Sequence, residues 1–369
     1  MSARRSGRLL LRLLAAAAAL AGIACSGAAP TGAPGPEASD WIDRARAGAV
    51  LRAVHLGGNW GTNVESAQSL PAAGFDYLTS LGADWVGISV ALHTDDALDS
   101  TVERVYAGVG IPTFPDPVLR GLIAALRARG FSVYLTLAFE NWEAMESAHP
   151  VTRSYFGDPA PADAVLHPQP GAWPWDPAHP EHEGFVAEFF RTYSEQAVHF
   201  GRLAQDTGVA LYSLGTETDR LFRTRPGGRW PNDYADELRG LVAAVRQVYA
   251  GPLTYDMSCL TLLESGFYGP GSDHLWEDLG LEVVGISAYF PLARQAPNLP
   301  PSAEECQAAW DWIFDAYLVP LAARNPGRPL LFTEVGYTNA VRSPLVPNAE
   351  EFVPWAFTDR DGSGLDDGD

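Results

Sequence analysis

The sequence predicts a (β/α)8 TIM barrel, an α/β domain built on parallel strands. Short apolar runs alternate with amphipathic helical patterns from about Val50 onwards, the order expected for a parallel sheet. The runs are almost continuously hydrophobic, as in strands buried on both faces. The chain has 369 residues, enough for one large domain with a substantial core.

Seven apolar runs are predicted as strands, and four segments between them are predicted as helices. The strands are residues 51–58, 84–92, 131–140, 209–217, 252–258, 281–290 and 329–337. The helices are residues 115–129, 183–206, 232–249 and 303–324. Helix boundaries follow from local signals: Asp116 after Pro115 starts the first of these helices, and Gly130 ends it.

The count of strands falls one short of a closed barrel, which needs eight. After Tyr337 the chain has a Pro-rich stretch and an acidic end, and no further strand is predicted there. An open doubly wound sheet usually carries a Gly-rich phosphate-binding turn, and none follows the first strand. We therefore expect a barrel that lacks its C-terminal portion, with about seven strands present.

The N-terminus has the pattern of an export signal. Four arginines precede an apolar stretch that is short for a membrane span, so residues 1–24 are predicted as a signal segment. Cys25 follows small residues, as at a bacterial lipoprotein cleavage site, and we expect a lipid anchor there, with simple secretion as the alternative. Residues 25–40 are predicted as a flexible tether and residues 41–369 as the barrel domain.

Composition narrows the classes of partner. The formal net charge is −20, which argues against nucleic acid and anionic membrane surfaces and fits a neutral substrate. All 25 basic residues are arginine, so a Schiff-base lysine and a P-loop lysine are excluded. Two further cysteines, Cys259 and Cys306, could form a disulfide or stay as two separately buried thiols.

Two glutamates stand at the ends of apolar runs, 117 positions apart: Glu217 ends the fourth run and Glu334 lies in the seventh. In barrels of this class, side chains at the C-terminal ends of strands line the active site. Three strand–helix units of roughly 30 to 40 residues would separate the two strands, and the observed spacing fits. Glycoside hydrolases cleave the glycosidic bond with a pair of carboxyl groups. The retaining mechanism uses one as acid/base and the other as nucleophile.

Four sequence blocks resemble glycoside hydrolase family 113, a family of retaining TIM-barrel enzymes that cleave β-mannan. They are residues 193–222, 249–258, 275–292 and 331–337, within a resemblance that covers roughly residues 52–361. The resemblance implies that Glu217 is the acid/base and Glu334 the nucleophile. It also implies that Tyr289 hydrogen-bonds the nucleophile and that Trp276 is the family's tryptophan ahead of the sixth strand.

The chain departs from the family pattern in segments that should line the cleft. Asp256 replaces part of an Ala-Ala-Asn-Trp-like stretch after the fifth strand, and the third strand ends in Glu140, Asn141 and Trp142. These departures concern the choice of sugar more than the hydrolytic chemistry. The predicted substrate contacts are Asn59, Trp60, Glu140, Asn141, Trp142, Asp256, Trp276, Tyr289 and Tyr337.

The sequence therefore predicts an exported, retaining glycoside hydrolase that acts on a poly- or oligosaccharide with β linkages. The resemblance implies no metal and no organic cofactor. The expected membrane contact is the lipid anchor, on the cell surface or the periplasmic side. Two alternatives stay open: a non-catalytic glycan-binding surface lipoprotein with the same fold, and a hydrolase specific for another β-linked sugar.

Overall fold

The computed structural model describes residues 37–56, 72–95, 99–107, 109, 111–139, 156–157, 173–222, 230–263, 275–293 and 301–337. In these residues seven parallel strands form one sheet in the order of the chain, β1 to β7. They are β1 (Ala53–Leu56), β2 (Trp85–Leu92), β3 (Ser132–Phe139), β4 (Leu211–Thr216), β5 (Leu253–Ser258), β6 (Val284–Ser287) and β7 (Leu330–Glu334). All seven lie within the predicted runs, and the nearly closed barrel confirms the predicted fold class.

Helices connect the strands, as expected for parallel pairing. They are α1 (Glu37–Arg46), α2 (Ala72–Ser80), α3 (Asp116–Arg127), α4 (His182–Thr207), α5 (Asp219–Phe222), α6 (Ala235–Arg246), α7 (Cys259–Leu263), α8 (Leu275–Asp278), α9 (Ala303–Ile313) and α10 (Val319–Arg324). A π-helical turn, Phe314–Leu318, joins α9 to α10, so the single helix predicted over residues 303–324 is continuous but irregular. In the described part of the chain, no helix has the length and apolar character needed to cross a membrane.

Helix ends follow the local chemistry of the sequence. Gly208 ends α4 in the left-handed conformation, with φ 70°, and its N–H bonds the last turn. Ser302 begins α9 with a capping box, in which its hydroxyl accepts from the Glu305 N–H and the Glu305 carboxylate accepts from the Ser302 N–H. Helix α1 begins at Glu37, inside the segment that the sequence predicts as a tether.

Helix α1 packs under the N-terminal ends of the strands. The ring of Trp41 meets that of Trp85 edge to face, with centroids 4.8 Å apart. Both belong to a separate apolar cluster that also contains Ile42, Leu211 and Val283. Because this cluster fills the barrel floor, the site has to lie at the opposite, C-terminal end of the strands.

The described sheet has two edges, β1 and β7, which face each other across a seam. A cavity of about 670 Å³ lies along this seam, lined by the length of both strands and by Trp85, Tyr134 and Leu211 from the barrel interior. At its upper end the cavity reaches Glu334. The sheet has seven strands in the part of the chain that the structure describes.

Candidate active site

Each predicted catalytic glutamate follows an irregularity in its strand. The pairing of β4 with β5 changes register between Ser213 and Thr216, directly before Glu217. The pairing of β6 with β7 does the same next to Glu334. Glu217 has φ 54°, and among the described non-glycine residues no other has a positive φ. Extra residues and left-handed backbone of this kind are typical of functional sites, where they redirect a side chain.

Three hydroxyl groups lie around the carboxylate of Glu334. Ser287 Oγ is 3.4 Å and Tyr289 Oη 3.5 Å from Glu334 Oε2. Thr216 Oγ1 is 3.4 Å from the other oxygen, Oε1. Hydrogen-bond donors on both oxygens fix the rotation of a carboxylate and stabilise its negative charge. Glu334 is half-buried, so it keeps access to the open end of the barrel.

Asp256 lies beneath the two glutamates and is fully buried. Its Oδ2 is 3.1 Å from Thr216 Oγ1, and its Oδ1 accepts a short hydrogen bond from Thr333 Oγ1. Burial raises the pKa of the Asp256 carboxyl well above its usual range, and the charge of Glu334 raises it further. The sequence predicts Asp256 as a substrate contact, and the structure instead places it in the interior, bonded to protein hydroxyls.

A second buried carboxyl, Asp219 at the start of α5, joins the segment after β4 to β5 and α7. Its Oδ1 accepts from Tyr255 Oη at 2.5 Å, and its Oδ2 accepts from Thr261 Oγ1 at 2.7 Å and from the Ser258 N–H at 3.2 Å. Burial raises the pKa of Asp219 to about 6. Phe222 stacks on Tyr255 with ring centroids 3.6 Å apart, so the segment after Glu217 is packed as well as hydrogen-bonded.

The other described residues that were predicted to contact substrate have structural partners. Trp276 is fully buried in the core and donates from Nε1 to the Tyr255 carbonyl at 3.4 Å, a position that differs from the predicted cleft surface. Tyr337 is half-buried, and its hydroxyl donates to the Phe290 carbonyl at 2.7 Å. Tyr289, half-buried beside Glu334, is therefore the best placed of this set to meet a ligand.

Several predicted residues lie outside the described part of the chain. They are Cys25, Asn59, Trp60, Glu140, Asn141 and Trp142. The two remaining cysteines are described: Cys259 is buried, Cys306 is half-buried, and both are free thiols. Among the described residues, no group of three or more His, Cys, Asp or Glu side chains is arranged to hold a metal ion.

Sequence reasoning singled out one hydroxyl of the site, that of Tyr289, and missed those of Thr216, Thr333 and Ser287. Thr216 and Thr333 each immediately precede a catalytic candidate, giving the same Thr-Glu dipeptide at the end of β4 and of β7. That repeated dipeptide is a signal that could have found them. Ser287 and Asp219 carry no comparable signal, because their importance depends on contacts between strands distant in sequence.

One family model matches the part of the chain that carries the candidate site. The family model described as Glycoside Hydrolase Family 113 matches residues 176–355, a range that contains β4 to β7 and both glutamates. A search of curated protein sequences found no significant match.

Two solved structures described as GH113 β-1,4-mannanases share the fold. A GH113 β-1,4-mannanase in a complex has 17% sequence identity over 81% of this chain and 76% of its own, with a TM-score of 0.53. A second GH113 β-1,4-mannanase structure has 18% identity, the same coverage and a TM-score of 0.52. A GH113 β-mannanase from Alicyclobacillus acidocaldarius has 18% identity over 80% of this chain and 74% of its own, with a TM-score of 0.48. The predicted recognition and the predicted barrel are confirmed.

Proposed function

We propose that this glycoside hydrolase of the family 113 type cleaves β-linked, mannan-like glycans by double displacement, with Glu334 as nucleophile and Glu217 as acid/base. One observation carries the proposal. Glu217 directly follows β4 and Glu334 ends β7, both inside the range that matches the family, and three hydroxyls surround the carboxylate of Glu334.

In the first half of the cycle Glu334 attacks the anomeric carbon while Glu217, as the carboxylic acid, protonates the departing glycosidic oxygen. This step forms a covalent glycosyl-enzyme. In the second half Glu217 takes a proton from water, which releases the sugar with its original anomeric configuration and regenerates the Glu334 carboxylate.

The residues around Glu334 have clear tasks in this cycle. Ser287 and Tyr289 donate to Oε2, and these contacts hold the carboxylate in one rotation. The N–H of Glu217 donates to the Asp256 carbonyl at 2.8 Å, which fixes the backbone of the acid/base to β5. Such fixed placement of the reacting groups is a large part of what an enzyme contributes to rate.

The substrate is proposed from the relatives, since the two solved structures with the higher TM-scores are described as β-1,4-mannanases. The acidic chain, with its net charge of −20, favours a neutral polysaccharide over an acidic one. Hydrolysis of β-1,4-mannan, compared with β-1,4-glucan and β-1,4-xylan, tests this choice directly. Faster cleavage of another polymer would replace the proposed substrate and leave the mechanism in place.

The roles of the two glutamates can be separated with the leaving group. Glu217→Gln should lower kcat/KM on the polymer about 100- to 10,000-fold, because protonation of the leaving oxygen is lost. On an aryl glycoside with a strongly activated leaving group, the same variant should still form the glycosyl-enzyme and release one burst of phenol. Glu334→Gln should give no burst on either substrate.

Glu304→Gln, on the exposed face of α9, is the matched control and should behave as wild type. Early product analysis by NMR should show the β anomer first. Turnover by Glu334→Gln, or inversion of configuration, would contradict the assignment. Binding of the polymer by wild type without any turnover would favour a glycan-binding protein instead.

We also propose that residues 1–24 direct export and that Cys25 carries a lipid anchor. The support is the sequence pattern of basic, apolar and small residues that ends in cysteine. Metabolic labelling with a radioactive fatty acid should mark the wild type and not Cys25→Ser. Equal release of both forms into the medium would indicate simple secretion.

A further inference from the structure

Asp256 connects the two strands that carry the glutamates. Thr216, which precedes Glu217, reaches Asp256 Oδ2, and Thr333, which precedes Glu334, reaches Oδ1. The contact with Thr333 passes over β6, which lies between β5 and β7 in the sheet. Gly285 pairs with Asp256 at this point of β6, and a Cβ there would lie 3.2 Å from the methyl group of Thr333. The absence of a side chain at Gly285 therefore leaves room for the bridge.

The Thr216 hydroxyl lies between two carboxyl groups. It is 3.1 Å from Asp256 Oδ2 and 3.4 Å from Glu334 Oε1. A hydroxyl has one proton to donate and lone pairs to accept with, so it cannot donate to two carboxylates at once. Both contacts are hydrogen bonds only when one of the two carboxyl groups carries a proton and donates it to Thr216.

Burial decides which carboxyl carries that proton. Asp256 is 0% exposed, whereas Glu334 is half-buried at the open end of the barrel. Ionising a carboxyl group away from solvent is costly. The charged groups that act on Asp256 are themselves carboxylates, so they also disfavour its negative charge. Glu334 and Glu217 raise its pKa, and among the described residues the phenols of Tyr134 and Tyr255 also interact with it. The donor from Thr333 on Oδ1 leaves Oδ2, next to Thr216, as the place for the proton.

We propose that Asp256 is a positioning residue whose carboxylic acid donates from Oδ2 to Thr216, so that the Thr216 hydroxyl donates to Oε1 of the nucleophile. The inference deepens the proposed function, since it rests on Glu334 being the nucleophile. Ser287 and Tyr289 both act on Oε2, so Thr216 is the partner that holds the second oxygen among the described contacts. Ionisation of Asp256 would reverse the Thr216 hydroxyl and turn its lone pair towards Glu334.

Pairs of variants distinguish a hydrogen bond donated by Asp256 from simple filling of space by its side chain. Asp256→Ala and Thr216→Val remove the relay and should lower kcat about 10- to 100-fold with little change in KM, the effect of losing a hydrogen bond to a charged group. Asp256→Asn can donate from its amide nitrogen to Thr216 and accept from Thr333, so it should recover most of the loss. Thr216→Ser keeps the hydroxyl and should do the same.

The pH profile gives a readout that a purely structural role would not move. In a Glu217→Gln background, with an activated aryl glycoside, kcat/KM no longer depends on titration of the acid/base. We expect the remaining decline at alkaline pH to come from Asp256 and to vanish in the double variant with Asp256→Asn. An unchanged alkaline limb would overturn the proposal, as would an Asn variant as impaired as the Ala variant.

A spectroscopic measurement keeps this inference separate from the proposed function. The infrared difference spectrum between wild type and Asp256→Asn at neutral pH should contain the carbonyl stretch of one protonated carboxylic acid. Absence of that band would overturn the proposal. The measurement requires no substrate, and it does not depend on whether the Ala variant folds. If the band is present and the wild type cleaves no glycoside, the proposed function fails while the protonated Asp256 stands.

Discussion

Replacing Asp219 by asparagine should change how the stability of the protein depends on pH. Asp219 is 5% exposed, and its carboxylate accepts from Tyr255, Thr261 and the Ser258 N–H. Desolvation outweighs these three donors, and the pKa of Asp219 is raised from 3.8 to about 6. Asparagine has nearly the same shape and cannot ionise, so it isolates the contribution of the charge.

The direction in which the free energy of unfolding changes with pH follows from proton binding. Because the pKa of Asp219 is higher in the folded state than in the unfolded state, the folded state binds the proton more tightly between these two values. The contribution of Asp219 to the free energy of unfolding is fully present below about pH 3.8 and is lost as pH rises through 6. At about 1.4 kcal/mol for each pH unit, the whole loss is roughly 3 kcal/mol, and about 2 kcal/mol of it falls between pH 4 and pH 7.

Urea unfolding followed by circular dichroism at pH 4, 5, 6 and 7 measures this contribution. The free energy of unfolding of wild type minus that of Asp219→Asn should fall by about 2 kcal/mol from pH 4 to pH 7. Asp315→Asn, at an exposed position on the π-helical turn, is the matched control. A wild-type advantage that is the same at both pH values, or that grows with pH, would refute the reasoning.

Three further predictions concern hydrogen bonding and packing. Tyr289→Phe should lower kcat/KM about tenfold, the lower end of the range for a bond to a charged group because the contact is long; steady-state kinetics on the polymer and on an activated aryl glycoside checks it. Gly285→Ala should destabilise by about 1–3 kcal/mol, because a Cβ would lie 2.8 Å from a threonine hydroxyl and a backbone carbonyl. Gly240→Ala, in an open position on α6, should stabilise by about 0.5–1 kcal/mol, and both are measured by urea unfolding. Trp41→Ala should cost about 3–5 kcal/mol in the same assay, whereas Trp312→Ala, 45% exposed, should cost far less.

The sequence was sufficient to predict the sheet. Strands buried on both faces have continuous apolar runs, and every described strand falls inside a predicted run. The long helices were also predictable, since α4 spans His182–Thr207 where the pattern indicates residues 183–206. Helix α1 was not predicted, because it begins in a Gly-, Ala- and Pro-rich stretch and depends on packing of Trp41 against Trp85. Tertiary contacts of this kind leave no local signal.

Prediction of the site from sequence went only part of the way. Strand ends and family resemblance singled out Glu217 and Glu334, and the structure brings hydroxyls from β4, β6 and the segment after β6 to Glu334. The sequence predicts Asp256 as a substrate contact, since a polar residue at a strand end is expected to face substrate, but the structure buries it. Its partners, Thr216 and Thr333, lie on strands 40 and 77 positions away, so the buried bridge has no sequence period.

The two Thr-Glu dipeptides explain why the strand ends are irregular. Successive residues of an ordinary strand point to opposite faces, so a threonine and the glutamate after it could not both serve the same end of the barrel. In β7, Ile286 pairs with Phe332 while Ser287 pairs with Glu334, and the extra residue is Thr333, which reaches Asp256. One residue inserted into the ladder thus lets neighbours face the same way.

In β4 the same requirement is met in two steps. The register shift before Thr216 aligns it with Asp256, and the positive φ of Glu217 then turns the chain at once. A left-handed glutamate costs on the order of 1–3 kcal/mol unless its surroundings hold it. Here the Glu217 N–H is bonded to the Asp256 carbonyl, and Asp219 two residues later is bonded to three donors. The strain therefore falls on the residue proposed to move the proton, and the contacts that hold it come from β5 and α7.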